Sequence, residues 1–211
     1  MEERKSTAAQ QVPPQYEGKQ VDLESSTTLG DDARAKSFFS EVKRRLLDIN
    51  RWHETAELPV AAFVLTDAQG GEAVKSRPAE GDKVRIDIPG PGTSAGDGYD
   101  WVIVENITES ESPTGEICSI TLRPTSNPLK LEQDTAHFFN DGASSTLVVE
   151  RRGNDVIARY YGRNEVVNTE VDSAVDKVRN AMVGAGAKLG FSYPQWKSLI
   201  EGIVKQQKGD I

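Results

Sequence analysis

Between residues 60 and 161 the chain passes through six strand-like segments with no helical period among them. "VAAFVLT" after Pro59 is a short apolar run. "KVRIDI" alternates, with Val84, Ile86 and Ile88 on one face and Lys83, Arg85 and Asp87 on the other. "DWVIVENI" is apolar on both faces over Trp101–Val104, which suits a central strand. "EICSITLR" separates Cys118, Ile120 and Leu122 from Ser119, Thr121 and Arg123. "STLVVERRGNDVIARYYG" reads as a hairpin, with strands of about 145–151 and 155–161 turning near Gly153-Asn154. A parallel pair needs a long crossover, usually a helix, so strands joined without one pair with antiparallel neighbours.

Helical periods lie on either side of this run. Phe38, Val42, Leu46, Ile49 and Trp52 recur every three or four residues, predicting a helix over about 32–50 capped by Asp31 or Asp32. Val171, Val175, Val178, Met182, Ala185 and Leu189 predict a second helix, with Asn168 or Thr169 as its cap. Ser192-Tyr193-Pro194-Gln195 opens a third, whose apolar face is Trp196, Leu199, Ile200, Ile203 and Val204. This order makes the chain α+β rather than alternating α/β. The expected fold is a curved antiparallel sheet or half-open barrel of about six strands. One N-terminal helix and two C-terminal helices pack on one face. The layout resembles that of helix-grip proteins, in which a curved antiparallel sheet wraps a long C-terminal helix. The resemblance lies in element order alone, and the leading helix and second C-terminal helix depart from it.

Of 211 residues, 36% are hydrophobic, low for a globular chain. Residues 1–30, polar and without a period, account for part of this and are expected as a flexible N-terminal arm. Residues 31–211 are expected as a single α+β domain. The formal net charge of −8 argues against a nucleic-acid partner or an anionic membrane surface. One cysteine, Cys118, excludes an intrachain disulfide, and with two histidines it leaves too few soft ligands for structural zinc. No metal or cofactor is expected. The N-terminus has no apolar signal segment and no run is long enough to span a membrane, so the expected place is the cytoplasm.

The glycine-rich stretch "IPGPGTSAGDGYDW" (88–101) invites a phosphate-loop assignment. Phosphate loops lead into a helix N-terminus and carry a lysine. This stretch joins two strands, holds Asp97 and Asp100, and has no Lys or Arg between Arg85 and Arg123. It is expected as a long connection, with residues 89–98 as a cover over a cavity. The candidate binding residues are Arg163, Asn164 and Glu165, where the last strand gives way to a helix. They place a donor fork, an amide and a carboxylate side by side. His137, Phe138, Phe139, Tyr160 and Trp101 are the expected lining.

The leading expectation is a non-catalytic protein that holds a small, partly apolar ligand between sheet and helices. A contact or homo-oligomerisation module is the second. A hydrolase or isomerase using His137 and Glu165 as acid and base is the third.

Overall fold

The structure, a computed structural model, describes residues 7–56, 61–72, 76–88, 94–112, 115–131, 134–168 and 192–206. Seven strands form one curved antiparallel sheet: β1 (Lys19–Thr28), β2 (Ala62–Thr66), β3 (Lys83–Asp87), β4 (Asp100–Ser112), β5 (Gly115–Pro124), β6 (Ser144–Arg152) and β7 (Asp155–Glu165). Their spatial order is β1-β7-β6-β5-β4-β3-β2. From β2 to β7 each strand neighbours the next in sequence, as expected of strands joined without helices. β1 closes the far edge by pairing with β7.

β1 comes from the segment expected as an arm. Only Val21 and Leu23 face inward, and the rest of the strand is polar and largely exposed. With one dry face and two apolar residues, an edge strand leaves almost no periodic trace. Its order comes from the backbone ladder to β7 and from Thr27, whose hydroxyl donates to Val204 O at 2.6 Å. β7 is longer than expected and runs to Glu165. Arg163, Asn164 and Glu165 therefore sit at the end of a strand, not in a turn into a helix.

The helices are α1 (Asp32–Leu47), α2 (Trp52–Thr55) and α3 (Ser192–Ile203). Asp31 caps α1 by accepting from Arg34 N at 2.8 Å. The expected helix over 171–189 lies outside the described residues.

α1 and α3 cover the same face of the sheet. Phe38, Val42 and Leu46 of α1 and Leu199, Ile200 and Ile203 of α3 join Val84, Val104, Ile120, Leu147, Ala158 and Tyr160 in one core. This is the inner face. Its residues alternate along each strand with outward ones, as the pleat requires. Cys118 belongs to the inner set, and burial pushes its thiol up to about 12, which leaves it inert as a nucleophile. Outside, Ile117, Val148 and Tyr161 pack on Ala8, carried by a short 3₁₀ turn at Thr7–Gln11. No helix among the described residues is long and apolar enough to cross a membrane.

Candidate functional site

The strand pleat separates the polar trio. Tyr161 and Arg163 face outward, whereas Tyr160 and Gly162 face inward. Arg163 donates to Asp22 at 2.5 Å and to the carbonyls of Val21 and Gly162 at 3.2 and 2.8 Å, and its guanidinium lies over the Tyr161 ring. These contacts staple the β1 edge to β7 on the outer face.

Asn164 breaks the alternation. Its φ of 54° lies in the left-handed region, which asparagine tolerates better than most residues. The extra rotation brings Glu165 back to the inner face beside Tyr160. Asn164's own side chain holds the N-terminal segment. Oδ1 accepts from Tyr16 N at 2.7 Å and Glu17 N at 3.2 Å, and Nδ2 donates to Pro14 O at 3.1 Å. Asn164→Gly keeps the backbone angle and loses these bonds, while Asn164→Ala loses both. Each is expected to speed amide exchange of Tyr16 and Glu17 about tenfold. Only the alanine variant is expected to lose a further ~1 kcal/mol in denaturant unfolding.

Glu165 is 8% exposed. The Tyr160 hydroxyl donates to its Oε1 at 3.4 Å, which leaves Ser145 to donate to Tyr160 at 3.0 Å. Gly162 makes the room: a Cβ there would overlap the Glu165 carboxylate. Burial raises the Glu165 pKa above its ordinary 4.5, against the pull of Lys19, which pairs with it across the β1–β7 ladder. Burial likewise raises Tyr160, and the neighbouring Glu165 charge adds to the effect. A group whose folded pKa is raised stabilises the fold below its unfolded value, and that stability is lost as pH rises through the folded value. The melting temperature of the wild type relative to Glu165→Gln should therefore fall as pH rises above the ordinary glutamate range.

Trp196 of α3 stacks on Tyr160 at 4.7 Å with ring planes 12° apart. It is only partly buried, and the Tyr160 it stacks on is the residue whose hydroxyl reaches Glu165.

The "HFFN" segment runs alongside the end of β7. Asn140 N donates to Val166 O at 3.0 Å, and Asn168 N donates to Phe138 O at 2.7 Å. The Asn168 side chain, expected as a helix cap, donates to the carbonyls of Thr135 and His137. The structure thus brings two of the segments singled out in the sequence to one end of the sheet. There Phe138 and Phe139 pack at 4.0 Å with Ala143 and Ile88, and Ile88 also touches the main core. His137 stacks on Phe138 at 4.9 Å. Its Nδ1 accepts from Phe139 N at 3.0 Å, and Nε2 faces Asp100 at 4.0 Å. Trp101 pairs with Arg85 and alternates with the inward Val102, so it lies on the face opposite Tyr160.

Residues 89–93 of the expected cover lie outside the described residues. Residues 94–98 form turns, tied by Lys130 to Ser94 O and to Asp97, each at 2.7 Å. A cleft of about 330 Å³ lies elsewhere, between α1 and residues 76–77. Its Lys43 and Arg77 share Glu109, and its Arg44 pairs with Glu41 and Asp48. Among the described residues, no cluster of His, Cys, Asp and Glu could hold a metal ion.

Two members of the inner-end group, Ser145 and Trp196, carried no functional signal in the sequence. Ser145 sat in a strand, and Trp196 fitted a helix's apolar stripe. Only the β6–β7 register and the docking of α3 bring them to Tyr160.

No protein-family model matches the chain, and no curated protein matches it at a significant level. Among solved structures, a hypothetical protein from Helicobacter pylori is similar at 12% identity, covering 86% of each chain with a TM-score of 0.45. Major latex-like protein 151 from Panax ginseng is similar at 13% identity, over 84% of this chain and 100% of its own, with a TM-score of 0.38. The α+β assignment rests on this chain's own strand pairing and helix packing.

Proposed function

We propose that the protein binds a small, partly apolar ligand at the inner end of the sheet, where Glu165, Tyr160 and Ser145 meet Trp196. The observation that carries this proposal is the buried Glu165 carboxyl beside a half-open aromatic stack. A polar group with a burial-shifted pKa, set in aromatic surroundings at a sheet–helix junction, is the usual make-up of a ligand site. Phe138 and Phe139 extend the apolar lining at the same end. Arg163 and Asn164 serve the site indirectly. The first fastens the β1 edge and the second turns Glu165 inward.

A contact surface for another protein is the second reading. It is favoured by Leu129 and Leu131, which are 65% and 97% exposed on the loop between β5 and β6.

Nile red, a neutral apolar dye, separates the two. With the ligand site in place, its emission is enhanced with one-to-one saturation. Trp196→Ala weakens binding about tenfold, and Leu129→Ser with Leu131→Ser leaves it unchanged. Loss of binding in the leucine variant, with Trp196→Ala unaffected, would move the apolar site to the loop.

A further inference from the structure

We infer that the ligand of this site carries a protonated amine on an apolar body of about the size of one aromatic ring. The inference rests on the site proposed above and adds the chemical class of its ligand. Glu165 and Glu150 are both buried, at 8% and 5% exposure, but they are treated differently. Glu150 is clamped between Arg152 and Arg159, each at 2.7 Å. Among the described residues no cation lies within ion-pair distance of Glu165; Lys19, opposite it on β1, and Arg163 act on it only from farther off, and its one side-chain hydrogen bond, from Tyr160, is long at 3.4 Å. Arg163, two positions before it, is engaged with Asp22 on the opposite face.

Burying a carboxylate without a cation is costly, and a partner that supplies the charge recovers that cost. Tyr160 and Trp196 stack face to face, and Trp196 also packs on Trp52 and Phe63, so these rings supply apolar surroundings for the body of the ligand. An ammonium group therefore gains from the carboxylate, and the apolar body from the rings. A neutral ligand leaves the carboxylate uncompensated, and an anionic one is repelled.

Three probes of one size test this by calorimetry over a pH series rising from the ordinary carboxylate range, because burial raises the Glu165 pKa. They are phenethylamine, phenethyl alcohol and hydrocinnamate. The amine is expected to bind about tenfold or more tighter than the alcohol, and the carboxylate weakest. Glu165→Gln should remove the amine's advantage over the alcohol. In the wild type the amine's affinity should also rise with pH as Glu165 ionises, a readout independent of any variant. Alcohol binding as tight as amine binding overturns the inference, as does an amine preference that survives in Glu165→Gln. If Nile red still binds in a Trp196-dependent way while the amine shows no advantage, only the amine assignment fails. If neither Nile red nor any of the three probes responds to Trp196→Ala, the site itself fails.

Discussion

Gly202→Ala is expected to undock α3 and to lower the melting temperature by roughly 6–12 °C. Gly202 lies on α3 against the last turn of α2. A Cβ there would overlap Thr55 O, and would stand 2.7 Å from Thr55 C and 3.3 Å from Thr55 Cγ2. The obstacle is backbone, so no side-chain rotation relieves it. One turn earlier on the same helical face, the Ser198 hydroxyl donates to Ala56 O, so the two contacts fix α3 at close range. Overpacking costs about 1–3 kcal/mol where side chains can adjust, and a backbone clash belongs at or above the upper end. The consequence reaches the site, because Trp196 rides on the same helix. Trp196 emission should shift to the red in the variant, and Nile red binding should weaken. Gly30→Ala is the control. A Cβ there meets only Arg34 Nη1, at 4.0 Å, and melting should change little.

Trp52→Ala is expected to cost about 3–5 kcal/mol in urea unfolding. Trp52 is fully buried at the start of α2. Its ring meets Phe63 of β2 edge-on at 5.3 Å and Trp196 of α3 at 6.2 Å, and its Nε1 donates to Leu46 O at 3.0 Å. One side chain thus joins α1, β2 and α3. Its removal opens a cavity where these elements meet, and it leaves the Leu46 carbonyl without that donor. Because Trp196 leans on it, the Tyr160 stack should loosen as well. A cost under about 1 kcal/mol would show that the three elements are held elsewhere.

The strand run and α1 were legible because hydrophobic period is a local signal. Val84, Ile86 and Ile88 name a face by themselves, and Asp31 names a helix start. β1 was not legible because an edge strand with two inward apolar residues is ordered by its partner, and β7 lies more than a hundred residues away. The candidate site was legible only in part. "HFFN" and "YYGRNEVVN" were singled out for their chemistry, and the backbone brings them to one end of the sheet. The convergence of Arg163, Asn164 and Glu165 was expected from adjacency alone, and the pleat sends Arg163 outward. A left-handed asparagine then returns Glu165 to the inner face. The same asparagine clamps Pro14 to Glu17 through its side chain, which no short-range pattern displays. Trp196 and Ser145 reach Tyr160 through tertiary packing, so their roles follow only from the assembled fold.

The claim that a ligand sits between sheet and helices at Glu165 is tested most directly by intermolecular nuclear Overhauser effects from bound Nile red. The account predicts cross-peaks from the dye's ring protons to the rings of Tyr160 and Trp196, lost in Trp196→Ala. Cross-peaks confined to the methyl groups of Leu129 and Leu131, with none to Tyr160 or Trp196, would contradict it.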